Sequence, residues 1–220
     1  LQKEQIRFVV SHATDPEAAR AAINEWVAQQ TNDRIPELLV EGTITPDARL
    51  TLVNAIYLKA NWATTFDAEQ TTDQPFATPA GDVSAAMMHA SADFGYAAGQ
   101  GWQAVDLPYV FGGLSFTAAL VEADAPLPSA DEVFAALAGR PVQLSFPRFD
   151  IETSVELSRV LEAMGMPTAF SGAADFSGMT TAASLTIGAV VHQANITVDE
   201  EGTEAAAATA VARVETAAQA

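Results

Sequence analysis

The spacing of hydrophobic and polar residues changes several times along this chain, and each spacing predicts a different element. Residues 5–10 read as a short strand. Thr14-Asp-Pro-Glu17 reads as a helix start, with Thr14 as the cap, Pro16 in the first turn and Glu17 reaching back to the cap. That helix is expected to run to about Gln29, because Ile23, Trp26 and Val27 share one apolar stripe. Residues 35–39 read as a short helical turn. Residues 50–58 are apolar nearly throughout, as in a strand covered on both faces. Residues 76–79 and 83–96 are strand and hairpin material. Residues 104–108 and 114–121 bracket a turn at Phe111-Gly112-Gly113. Residues 129–137 predict a helix with Ser129 as cap and Glu132 in the capping-box position. Residues 142–151 are extended, with an interruption at Pro147, and residues 154–164 read as a helix closed by Gly165 and Pro167. Residues 185–198 form one long strand. After Gly202 the chain is alanine-rich and free of bulk. No internal repeat is visible, and the mixture of strands and scattered helices predicts an α+β fold.

Composition narrows the chemistry. The chain has 220 residues, 49% of them hydrophobic, enough to bury a real core as a single domain over 1–220. Acidic residues number 28 against 10 basic, and the formal charge of -18 argues against nucleic acid and anionic membranes as partners. No run of 18 apolar residues predicts a spanning helix. The absence of cysteine excludes a disulfide scaffold and thiolate metal sites. No leader is visible ahead of Leu1.

Motifs for catalysis fail one by one. Gly99-Gln-Gly101-Trp-Gln-Ala104 spells a loose dinucleotide pattern, but a strand follows it where a phosphate cradle needs a helix, so it predicts a turn. Asn195-Ile-Thr197 is a sequon by spelling, set inside an apolar strand. His12, His89 and His192 are scattered and lie in no zincin motif, and G-x-S-x-G is absent. Neither a hydrolase nor a metal or cofactor site is expected. His192, flanked by Val190, Val191, Ala194 and Ile196, reads as a structural histidine that needs a partner.

The stretch from Val190 to Val211, containing Val-Asp-Glu-Glu-Gly-Thr-Glu-Ala-Ala-Ala-Ala-Thr-Ala, closely resembles the serpins, and prokaryotic members in particular. It is similar to their strand before the reactive loop and to the loop's proximal hinge. Ile23-Asn24 with Trp26-Val27 and Thr31, Leu52 to Trp62 with Phe66, Phe146 to Glu152, Leu161 with Met164-Gly165-Met166, Phe170, and Ala174 to Gly178 follow in family order.

The resemblance implies a partial serpin fold: a large mixed or antiparallel main sheet, further sheets, surrounding helices and an exposed reactive loop. It implies that family helices before Leu1 and family strands after the loop lie outside this stretch. It assigns 200–220 to the hinge and loop, with Glu200, Glu201, Gly202, Thr203, Glu204, Ala205, Ala206, Ala207 and Ala208 as the hinge. Trp62 matches the tryptophan at the top of the sheet. Asn54 and His192 match a pair on the two strands that part for the loop.

Counting family loop length from Gly202 places the reactive bond between Thr216 and Ala217. That bond suits an elastase- or subtilisin-like serine protease, and Arg213 is the alternative, suited to a trypsin-like one. The implied function is suicide inhibition by loop insertion, with a non-inhibitory binding or chaperone-like protein as the alternative, a monomer when complete, and an extracellular location. For insertion, Thr203, Ala205, Ala207, Thr209 and Val211 share one parity expected to face inward beneath a covering helix. Glu204 is expected to face solvent, and Gly202 to supply a permissive turn.

Overall fold

Asp15, the residue after the expected cap, starts the first helix. Its carboxylate accepts a hydrogen bond from Ala18 N at 2.9 Å and opens α1, Pro16–Gln30. This is a computed structural model, and it describes residues 2–8, 15–78, 80–179, 181 and 184–215. Thr14 and His12 lie outside the described residues. The chain divides into two compact units, each assembled from separated stretches.

The first unit comprises Leu1–Leu58, Ile151–Ile196 and Ala205–Ala220. Here α1 buries Ala19, Ile23 and Val27 in a core with Ile35, Leu38, Leu39, Ile44, Ala48 and Val53. The stretch 35–39 is not the helical turn its sequence predicts. Its backbone is held instead by Asn24, whose Oδ1 accepts from Leu38 N at 3.1 Å and Leu39 N at 2.9 Å while its Nδ2 donates to Leu39 O at 2.8 Å. One buried amide thus takes over bonds that a helix would have made internally. The sequon residue Asn195 is 6% exposed, and its amide donates to Arg34 O, so it faces inward.

The main sheet has five strands in the order β1-β2-β10-β9-β8, where β1 is Gln2–Phe8, β2 Ala48–Asn61, β8 Phe149–Glu156, β9 Leu185–Val198 and β10 Gly202–Glu215. β1 and β2 pair antiparallel, from Gln2 opposite Tyr57 to Phe8 opposite Thr51. The segment expected to stand out as an exposed loop is therefore, over Gly202–Glu215, the middle strand of this sheet. The helix expected from residue 154 begins later: α3 is Ser158–Ala163, after β8 has run to Glu156. Ile151, Thr153 and Val155 alternate as β-branched residues and favour the strand. Leu157 N then donates to Val190 O at 2.8 Å.

The second unit comprises Lys59–Asp150 and Thr197–Glu204. Its sheet runs β3-β4-β5-β6, with β7 pairing β4; these are β3 Thr72–Thr78, β4 Gly81–Gly99, β5 Trp102–Pro108, β6 Ser115–Val121 and β7 Ala138–Pro147. β4 is long enough to serve three partners in succession: β3 up to Met87, β7 from Met87 to Tyr96, and β5 from Gly95. The glycine pair at 99 and 101 is the turn between β4 and β5, with Gly101 at φ 75°. α2, Ala130–Ala136, is capped by Ser129, whose Oγ accepts from Glu132 N at 3.2 Å.

Candidate functional site

The residues expected to form the hinge begin, in the second unit, with a three-residue turn between β9 and β10. Asp199 Oδ1 accepts from Glu201 N at 2.9 Å and Gly202 N at 3.0 Å, and Asp199 N donates to Gly202 O at 3.1 Å. A connection this short between neighbouring strands makes them an antiparallel hairpin. Trp62 reads this turn twice: its Nε1 donates to Asp199 O and its backbone N to Glu201 O, each at 2.9 Å. Phe66 N donates to Glu200 O at 3.1 Å. Trp62 is itself fixed by stacking on Tyr109, with ring centres 4.9 Å apart and planes 8° from parallel. Trp62 thus contacts the start of the segment expected to form the hinge.

Glu200 is anchored by the Thr71 hydroxyl at 2.7 Å and lies 3.8 Å from Arg148 Nη1. Its partial burial alone would raise its pKa. The Thr71 hydroxyl, a backbone N–H and the charge of Arg148 outweigh that and hold the carboxyl below its ordinary value. Glu204 does not stand free in solvent but lies 3.8 Å from Lys59 Nζ. Gly202 is required by close approach, not by a permissive φ: a Cβ there would lie 2.1 Å from Ala60 O.

The rest of β10 belongs to the first unit. Its alternation is real, but the face beneath α1 is the opposite of the expected one. Ala206, Ala208 and Ala210 join the core with Ile23 and Val27, while Ala205, Ala207, Thr209 and Val211 are half-buried on the other face. Alanine occupies both parities here, so side-chain size carries no information about which face α1 covers. Thr203, at 3% exposed, is the buried member of the expected set.

His192 takes a different partner from the one expected. β10 separates β2 from β9, so Asn54 and His192 are not on adjacent strands. His192 Nδ1 instead lies 2.7 Å from Thr209 Oγ1. Further along, Arg213 is 9% exposed, with its guanidinium 3.6 Å from the centre of the Phe176 ring. Burial lowers its pKa from the ordinary arginine value. Thr216 and Ala217 lie outside the described residues. Sequence reasoning gave no role to Asp199, Tyr109 or Phe176, and it expected Thr209 as an inward-facing strand residue, not as the partner of His192. For Thr209 a signal existed, because seven residues back from Asp199 and seven on from Gly202 give the observed 192–209 pair.

A family model described as Serpin (serine protease inhibitor) matches residues 5–220. Human Serpin B8 is 40% identical over 218 residues, which is 93% of this chain and 58% of that protein. The leukocyte elastase inhibitor of Xenopus laevis is 37% identical over 211 residues, 88% of this chain and 56% of that one. Among solved structures, Cleaved Serpin 42Da superposes with a TM-score of 0.87 at 34% identity, covering 92% of this chain and 58% of its own. The chain thus spans a little over half the length of these relatives.

Proposed function

The chain belongs to the serpin family, and from that premise we propose that it supplies the hinge and inserting strand of a serine protease inhibitor that acts as a suicide substrate. Insertion of the reactive loop into the main sheet is an established property of the family. The observation that supports this reading is the place of Gly202–Glu215 as a 14-residue strand between β2 and β9.

In this reading the protease serine attacks the Thr216 carbonyl. The bond to Ala217 breaks, the amine leaves, and an acyl-enzyme remains. The hinge then enters the sheet before water hydrolyses the ester. The full strand, Thr203 to Thr216, is roughly 45 Å long at about 3.3 Å per residue. Small residues on both faces, Ala205 to Ala208 above all, let the strand enter without clashes. In the uninserted state Asn54 and His192 would lie on adjoining strands and hold the sheet closed. An elastase- or subtilisin-like enzyme fits a small, uncharged residue at the cut.

The test is a mixing experiment with the full-length protein and elastase-like, subtilisin-like and trypsin-like enzymes. The expected result is a complex stable to denaturing gel electrophoresis with one of the first two, and a released peptide starting at Ala217. A stable complex whose released peptide starts at Val214 would place the reactive bond after Arg213. Cleavage by all three with no stable complex overturns the inhibitor reading. Thr203→Arg should leave cleavage intact and abolish trapping, because a charge would have to enter the buried position of Thr203.

A further inference from the structure

Along the β10 face turned away from α1, Ala205, Ala207, Thr209 and Val211 are all short. Arg213 is the first long side chain on that face, and it is nine-tenths buried. Its Nε and Nη1 have no hydrogen-bond partner among the described residues. What it does have is Phe176, whose ring centre lies 3.6 Å from the guanidinium carbon. A desolvated cation over the face of an aromatic ring is held by the ring quadrupole.

Phe176 is presented by a turn with its own fixings. Asp175 Oδ1 accepts from Ser177 N at 3.0 Å, and Met179 N donates to Phe176 O at 2.8 Å. The next residue of the strand is matched at the same level. A Cβ on Gly188 of β9 would fall 2.9 Å from Val214 Cγ1 and 3.5 Å from Ala212 O, so β9 carries a glycine where β10 presents Val214.

The two contacts together discriminate register. Side chains alternate along a strand, so only slips of two residues keep each side chain on its face. A two-residue slip in one direction would set Val211 against Phe176 and lose the cation. The other would set Glu215 there, a carboxylate against the negative face of the ring.

We propose that Arg213 is the register residue of the inserted strand, and that Phe176 is its receptor, engaged only when β10 has entered to its full length. Arg213 acts as a positioning residue through this contact. The proposal rests on the loop-insertion reading, and the experiment separates the two.

Hydrogen exchange read by mass spectrometry on the full-length protein after cleavage of the loop reports the near end of β10, residues 202–206, separately from the far end, residues 211–214. In the cleaved parent both ends should be protected. Phe176→Leu and Arg213→Met should each speed exchange at the far end by roughly 5-fold, the scale of one such contact. They should leave the near end unchanged. The double variant should exchange no faster than either single variant, and Phe176→Tyr, which keeps the ring face, should match the parent. Far-end rates that do not move in the single variants, or single effects that multiply in the double, overturn the proposal. If β10 of the cleaved parent is unprotected throughout, loop insertion itself fails and the proposal falls with it.

Discussion

Replacing Gly202 with alanine puts a methyl group against backbone that has no rotamer to yield. The new Cβ would lie 2.1 Å from Ala60 O, 2.9 Å from Asn61 Cα and 3.0 Å from Ala60 C. The first of these is roughly 1 Å or more inside normal contact. Relief requires the start of β10 to move away from the end of β2. That strains the bonds from Trp62 N and Trp62 Nε1, both 2.9 Å long, that clamp the turn. Overpacking costs typically 1–3 kcal/mol, and a backbone clash lies at or above the upper end of about 3 kcal/mol. The stiffer unfolded chain returns about 0.4–1 kcal/mol. A net loss of about 2–3 kcal/mol should lower Tm by roughly 5–10 °C in a domain of this size. The assay is urea and thermal unfolding beside Gly112→Ala, where an added Cβ meets nothing within 4 Å. That control should stay within about 0.5 kcal/mol of the parent. If Gly202→Ala behaves like the control, the close approach does not exist and the hinge argument fails.

Asn24→Ala should cost about 2–4 kcal/mol in urea unfolding, because it leaves the buried Leu38 and Leu39 N–H groups without their acceptor. Thr209→Val should cost about 1 kcal/mol and change the ring-nitrogen shifts of His192, whose Nδ1 loses its 2.7 Å partner. Glu200 titrates below its ordinary value of 4.5 in the folded chain, so its stabilising contribution is complete above 4.5 and is lost as pH falls through the lower folded value. Carboxyl titration followed by NMR should place its midpoint below 4.5, and Thr71→Val, which removes the hydroxyl donor at 2.7 Å, should move it upward.

How much of this was legible depended on whether a residue's role is written in its own neighbourhood. β9 begins and ends where it was expected to, at Leu185 and Val198, because β-branched residues recur along it, from Thr186 and Ile187 to Ile196, Thr197 and Val198. The stripe of Ile23 and Val27 marked α1 because residues four apart share one helix face. β10 was opaque: an alanine run has no alternation to read, and only the family resemblance connected it with the sheet. The exchange of its two faces follows from that same lack of contrast. The anchor of residues 35–39 was hidden because Asn24 acts across 14 and 15 residues, and a polar residue on a helix face otherwise reads as solvated. Trp62 could be matched by family order, while its stacking on Tyr109 depends on a bridge between distant stretches.

The turn at residues 199–201 also governs how β10 can add to the sheet over time. Because it is tethered to its neighbour by three residues, the strand closes as a zipper: each pair formed shortens the loop that the next pair must close. Pairing therefore advances outward from Asp199, and Arg213 is among the last to dock. A defect at Gly202 or Thr203 acts before any length has been gained, whereas one at Arg213 leaves most of the strand seated and affects only the last step. The tether also sets the local abundance of the strand, which for so short a connection is on the order of millimolar. A free peptide with the sequence of residues 203–214 would have to reach comparable concentrations in solution to occupy the same gap.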